Sequence, residues 1–162
     1  MSAVIVKPLG PGGVSGLAAH KPDPDELKSL AMTLGVDTLG SPLDLVAAIR
    51  KGLKKEAIDF VACALEVSPS EISRFLHVSP RTLSRYKPEA TLSMDASDHL
   101  VQICKVYEKT MEVFGDRRKA LGWLKRPCLP IGGMAPFDLL DTSAGLEMTL
   151  DELGRIQYGV FA

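Results

Sequence analysis

Residues 68–87 read SPSEISRFLHVSPRTLSRYK, and this stretch decides the fold. Ser68 can cap a helix start, Pro69 suits the first helical position, and Glu71 completes an S-x-x-E capping box. Eleven residues later the pattern begins again, with Ser79 as cap and Pro80 at the first position. Only His77 and Val78 separate the two segments, so the turn is very short. Ile72, Phe75, Leu76, Val78 and Leu83 fall where two packed helices and their turn need apolar side chains. The spacing predicts a helix-turn-helix, a unit that commonly lays its second helix in the DNA major groove. The same spacing also suits a plain helical hairpin. Many such turns carry Gly at the first turn residue, where a left-handed backbone is required. Here that residue is His77, and some backbone strain is expected.

The second helix, Pro80 to Lys87, turns Leu83 inward and leaves Tyr86 partly buried. Arg81, Thr82, Ser84 and Arg85 are left for the outer face. Arginine can hold guanine O6 and N7 with two parallel hydrogen bonds, and Thr or Ser can meet bases or phosphates. Arg81 and Arg85 are the expected base or phosphate contacts, with Arg74 and Lys87 as phosphate partners.

Working outward, the chain predicts helices on both sides. Residues 1–24 are rich in Gly and Pro and read as a flexible arm. A first helix is expected from Asp25, with Leu27, Leu30, Ala31 and Leu34 on one face and Gly35 as its stop. Ser41-Pro42 opens the next, with Leu43, Leu45, Val46 and Ile49 inside and Gly52 as its stop. A third is expected from Lys54 to Val67. After a link over Pro88–Met94, apolar residues recur at spacings of 3 and 4 from Asp95 to Phe114. Gly115 stops that helix and Asp116 caps the next, which runs to Lys125. CLPIGGMAP reads as a turn-rich loop in which Gly132-Gly133 makes a tight turn. A short helix follows from Pro136 to Leu140, and Thr142 caps a last helix bearing Leu146, Leu150, Leu153 and Ile156. No stretch alternates like a strand. The fold class is all-α, divided near residue 90 into a helix-turn-helix domain (25–90) and a small helical C-terminal domain (91–162).

The 162 residues allow one domain or two small ones. Aromatic residues are only 6%, so aliphatic side chains and Met must fill the core. No apolar run approaches the roughly 20 residues that span a membrane, and the N-terminus lacks a signal peptide; a cytoplasmic protein is expected. Cys63, Cys104 and Cys128 have no C-x-x-C pairing, and no His stands at metal spacing to them, so neither disulfide nor metal is expected. The net charge of -1 looks wrong for a DNA binder, but it hides an asymmetry. Residues 69–88 carry Arg74, Arg81, Arg85 and Lys87 against Glu71 alone. Residues 129–162 carry Arg155 against Asp138, Asp141, Glu147, Asp151 and Glu152. Local charge sets phosphate affinity, and a footprint this small implies several copies on one operator. No nucleophile–base pair, phosphate loop or isolated carboxylate pair suggests catalysis or a cofactor. Asp138 and Asp141 read as helix-start carboxylates.

The C-terminal block is the most distinctive part of the chain. VFGD at 113–116, A-x-x-WL at 120–124, P-x-x-x-IGG-x-x-P-x-DLLDT at 127–142, Gly145, and RIQYGVFA at 155–162 occur in one order. Together with S-x-RTL-x-R at 79–85 and SDHL at 97–100, they resemble the Xre/MbcA/ParS antitoxin family over roughly residues 40–162. The resemblance implies a non-enzymatic protein with an Xre-like DNA-binding half and a C-terminal toxin-binding half. It also implies a RES-domain, NAD-consuming toxin as partner, and repression of the protein's own operon. On that footing the last residues form a candidate toxin-binding end: Arg155, Tyr158, Val160 and Phe161 join one cation, an aromatic with a polar tip and apolar side chains. Trp123, the single Trp, is a further candidate anchor. A homodimer within a larger assembly would match paired half-sites on operator DNA. Two other readings stand beside this one. One is a stand-alone transcriptional regulator with a C-terminal ligand or partner domain; the other is an adaptor whose helix-turn-helix no longer binds DNA.

Overall fold

A computed structural model describes residues 42–87 and 89–159 of the chain. The arm (1–24), the helix expected from Asp25, and Val160 and Phe161 lie outside the described residues. Among the described residues the structure is helical, with two isolated β-bridges and no strand. In chain order the helices are α1 (Pro42–Lys51), α2 (Lys55–Leu65), α3 (Pro69–Phe75), α4 (Pro80–Arg85), α5 (Met94–Phe114), α6 (Arg117–Leu124) and α7 (Ser143–Tyr158). Two 3₁₀ turns, Leu129–Ile131 and Pro136–Leu139, lie between α6 and α7.

The caps expected at Asp116 and Thr142 are in place, and Ser93, within the expected link, caps α5. Each of the three accepts a hydrogen bond from the backbone N–H three residues on, satisfying donors that the helix itself leaves unpaired. Gly115 closes α5 in the left-handed region, at φ 64°, where a side chain would be strained.

α5 is the axis of the fold. Its 21 residues span about 30 Å at 1.5 Å per residue, and α1, α2, α6 and α7 all pack on it. Leu100, Val101, Ile103 and Val106 on α5 are fully enclosed. Buried side chains from before and after residue 90 form a single cluster, running from Ile58, Val61 and Leu65 through Ile72 and Phe75 to Leu124, Leu140 and Leu146. Phe75 of α3 meets Phe137 edge-on, with ring centroids 5.1 Å apart and planes at 77°, a favoured aromatic geometry. Two hydroxyls on the buried face of α5 are matched: the Ser97 hydroxyl accepts from Leu53 N–H at 2.9 Å, and Thr110 donates to the Val106 carbonyl at 2.6 Å.

The expectation for α1 needs correction. Leu43 and Val46 were assigned to the interior, yet they are 77% and 40% exposed. A helix lying on one neighbour buries one strip, and here Leu45 and Ile49 occupy it. Leu43 points across the helix from that strip, and Val46 sits at its edge.

The link after α4 is also more ordered than its composition suggests. Lys54 pairs with Thr91 in an antiparallel bridge. Leu92 N–H donates to the Leu53 carbonyl at 2.8 Å, and Lys55 N–H to that of Ala90 at 3.0 Å. Gly52, at φ 88°, lies against the Leu92 carbonyl so closely that a Cβ would overlap it. Its role extends beyond stopping α1: it lets the two segments close.

Candidate DNA-reading and partner-binding surfaces

The helix-turn-helix forms as its caps predict. Ser68 Oγ accepts from Glu71 N–H at 3.2 Å while a Glu71 carboxylate oxygen accepts from Ser68 N–H at 2.7 Å, a complete capping box. That bond to the Ser68 N–H is the main reason the Glu71 carboxyl titrates below its ordinary range. Ser79 caps the second helix singly, accepting from Thr82 N–H at 3.0 Å.

His77 takes the left-handed turn position at φ 53°. What holds it there was not legible in the sequence. Its Nε2 lies 2.7 Å from the Asp141 carbonyl oxygen, 64 residues away. Beside it, His99 Nε2 of α5 lies 2.7 Å from the Leu140 carbonyl oxygen. The two imidazoles meet edge-on at 5.8 Å and each donates a ring N–H to one of two consecutive carbonyls. The turn of the helix-turn-helix is thereby tied to the segment that starts the last helix. His77→Ala keeps the strained φ and loses the bond. It should destabilise the protein by about 1 kcal/mol, measured by denaturant unfolding; an unchanged midpoint would show that the bond contributes nothing.

α4 carries the outward residues. Leu83 is buried and Tyr86 half-buried, as expected, while Arg81, Thr82, Ser84, Arg85 and Lys87 are exposed. Arg81, Arg85 and Lys87 make no ion pair with a described carboxylate. The two hydroxyls are locally engaged: Thr82 with Ser79 Oγ at 2.8 Å, and Ser84 donating to the Arg81 carbonyl at 2.9 Å. Arg74 stands apart from them. Its guanidinium lies 3.7 Å from an Asp141 carboxylate oxygen and over the Phe75 ring at 4.9 Å. Asp138 and Asp141 do not converge on a pocket as an acid–base pair; Asp141 is the partner of Arg74.

A second surface gathers at the other end of α5. Gln157 of α7 donates to Glu112 at 2.7 Å, which brings the end of the last helix beside the end of α5. Tyr158 is 79% exposed there. Arg155 is exposed and pairs with Glu152 at 3.4 Å. Trp123 of α6 is half-buried and stacks at a tilt on Phe114, centroids 5.6 Å apart. It packs against the core with part of its indole and leaves the rest accessible.

Sequence reasoning missed the charge of α6 and its flank. Arg117, Arg118, Lys119, Lys125 and Arg126 lie within ten residues, a denser run than in the helix-turn-helix. Arg117 serves the fold: it pairs with Glu66 at 2.9 Å and donates to the Cys63 and Ala64 carbonyls at 3.1 and 3.2 Å, capping the end of α2. Lys125 donates to the Glu66 carbonyl at 3.2 Å. Arg118, Lys119 and Arg126 are exposed and without a described ion-pair partner. A simple count over windows of charge would have found them.

Among the described residues no three His, Cys, Asp or Glu side chains group to hold a metal ion. Cys104 is buried in α5, which pushes its thiol well above the ordinary range; that is the opposite of an activated nucleophile. No described helix is long and apolar enough to cross a membrane. The glycines expected to make a tight turn, Gly132 and Gly133, do so at φ 80° and 76°, closed by the hydrogen bonds between Cys128 and Met134 and between Gly133 and Cys128.

Comparison with known proteins matches both halves. Residues 44–104 match the family model of the antitoxin Xre-like helix-turn-helix domain, and residues 109–159 that of the antitoxin Xre/MbcA/ParS C-terminal toxin-binding domain. The chain is 28% identical over 120 residues to antitoxin Xre of Yersinia enterocolitica, covering 73% of this chain and 81% of that protein. It is 26% identical over 132 residues to the Prs ADP-ribosylating antitoxin of a Sphingobium species, covering 75% and 83%. The fold resembles a chain in the crystal structure of the M. tuberculosis MbcT–MbcA toxin–antitoxin complex, with a TM-score of 0.50 and 19% identity over 67% of this chain and 96% of that one.

Proposed function

Because this chain belongs to the Xre/MbcA/ParS antitoxin family, we propose that it neutralises a RES-domain, NAD-consuming toxin with its C-terminal end and binds operator DNA through α4. That it is the antitoxin of a toxin–antitoxin system follows from the family; the toxin class, the mode of inhibition and the DNA target are our reading. It acts by binding, in the cytoplasm, without cofactor or metal.

One observation carries the toxin half of this reading. The last helix ends on an exposed Tyr158 and on Arg155, whose only described partner is the neighbouring Glu152. Exposed aromatic and arginine side chains at one spot are common interface anchors. Residues 155–162 would lie over the toxin's NAD site, with Trp123 alongside. Co-expression tests it: the protein should rescue growth of cells making the adjacent gene's product, and continued growth arrest would refute the neutralising role.

The DNA half is supported by the three unpaired cations of α4 and its flank. Arg81 and Arg85 would reach base edges, Thr82 and Ser84 would contact the backbone or bases, and Lys87 a phosphate. Arg74, held by Asp141, can reach a phosphate only by loosening that pair, so its contribution should be smaller. Arg85→Ala is expected to weaken operator binding by about 1–3 kcal/mol, read by gel shift at fixed salt; an unchanged shift would remove Arg85 from the interface. A single copy offers little charge, so a homodimer on paired half-sites, multiplied in a toxin complex, would supply the affinity.

A further inference from the structure

We infer that the outer face of α6 is a second toxin-docking surface, a cation-rimmed saddle that takes an acidic surface bearing an apolar side chain. The inference rests on the toxin-binding reading above and divides that binding into two parts.

The saddle is built from four features. Phe114 and Trp123 form its apolar floor at the end of α5 and in the last turn of α6, with centroids 5.6 Å apart. Arg118, Lys119 and Arg126 rim an open cavity of about 720 Å³. The one acid lining it, Asp116, is engaged as the cap of α6, accepting from Lys119 N–H at 2.9 Å. Arg118 and Gly122 are four apart and so share one face of α6, and Arg126, two residues past the end of the helix, lines the same cavity.

Gly122 is the informative residue. Glycine inside a helix is unfavourable, and it is usually retained where something approaches the backbone closely. A Cβ at Gly122 would meet nothing within 4 Å, so no part of the described chain requires the gap. The gap opens outward, between two arginines and beside the only Trp. An apolar centre inside a charged rim is the anatomy of a protein interface, and Trp and Arg are its preferred anchors.

The occupant follows from position and charge. The saddle lies within the residues that match a toxin-binding domain. It adjoins the end of the last helix, because Gln157 bonds to Glu112, two residues before Phe114. One partner resting on the chain end would therefore also reach α6. Three cations without a described carboxylate partner call for acidic groups opposite them. Nucleic acid would satisfy the cations too, but it gives no role to the apolar floor and the glycine gap at this end of the molecule.

The two contacts would do different work: the chain end blocks the active site, and the saddle supplies affinity. Two variants test this with purified toxin, Gly122→Gln and the pair Arg118→Glu/Arg126→Glu. Gly122→Gln fills the gap with a better helix former, so thermal stability should be equal or higher. Toxin Kd should weaken by about tenfold or more in each variant, while inhibition of NAD consumption stays complete at saturating protein. An unchanged Kd in both variants overturns the inference. Loss of operator binding with toxin Kd preserved also overturns it, and assigns the face to DNA. If the unaltered protein leaves the toxin unbound, the neutralisation reading falls first and the saddle with it.

Discussion

Removing residues 155–162 should abolish toxin neutralisation and leave the protein folded. The described ones among them, 155–159, add no buried side chain to the core. Leu153, fully enclosed, is the last buried apolar side chain of α7, and Glu152 is the last buried residue before it. Beyond them, Ile156 is half-buried, Arg155 pairs with Glu152 on the surface, and Gln157 bonds to an exposed Glu112. Contacts of this kind contribute roughly 0–1 kcal/mol each, so the melting temperature should fall by only a few degrees. The functional loss should be total at any antitoxin concentration, because a blocked active site differs in kind from a weakened contact. The measurement is NAD consumption by the toxin with saturating shortened protein. Consumption at the rate of free toxin is expected. A folded, shortened protein that still silences the toxin would sink the idea that the chain end covers the active site. The contrast with the saddle variants is the point of the design: truncation should leave toxin bound yet active, whereas Gly122→Gln should leave it inhibited once enough protein is present.

What the sequence showed, and what it hid, divides by distance along the chain. Helix starts are local chemistry, and Ser68, Ser79, Asp116 and Thr142 were each readable from a cap residue and the few positions after it. Leu83 inward and Arg81 and Arg85 outward follow from helical period alone. The features that were missed join residues far apart. Neither the bond from His77 to Asp141 nor that from His99 to Leu140 leaves any local signature, since 64 and 41 residues separate the partners. Arg117 likewise caps a helix end more than 50 residues earlier. Leu43 and Val46 show the converse failure. An apolar pattern says that a face exists, and only the neighbours decide how wide a strip they cover. The candidate toxin surface was partly legible, because Arg155 and Tyr158 gather where an amphipathic helix should be ending. Its α6 half, residues 117–126, lies between the two segments whose local charge was read, 69–88 and 129–162, and so was missed.

Phe75→Ala should impair both functions at once. Phe75 belongs to the first helix of the helix-turn-helix and is completely buried. Its edge contact with Phe137 reaches the 3₁₀ turn that precedes α7, and the same turn is held by the His99 bond to Leu140. Truncating a buried phenylalanine costs about 3–5 kcal/mol, a large share of the roughly 5–15 kcal/mol that stabilises a typical domain. At about 2–4 °C per kcal/mol for a chain of this size, the melting temperature should drop by roughly 6–20 °C. Because side chains from both sides of residue 90 share one core, unfolding should remain a single transition, and operator and toxin binding should be lost together as temperature rises. Loss of operator binding alone, with toxin affinity at the level of the unaltered protein, would mean that the two halves hold their shapes independently. The Phe75–Phe137 contact would then be a point of touch between two units, with no share in a common core.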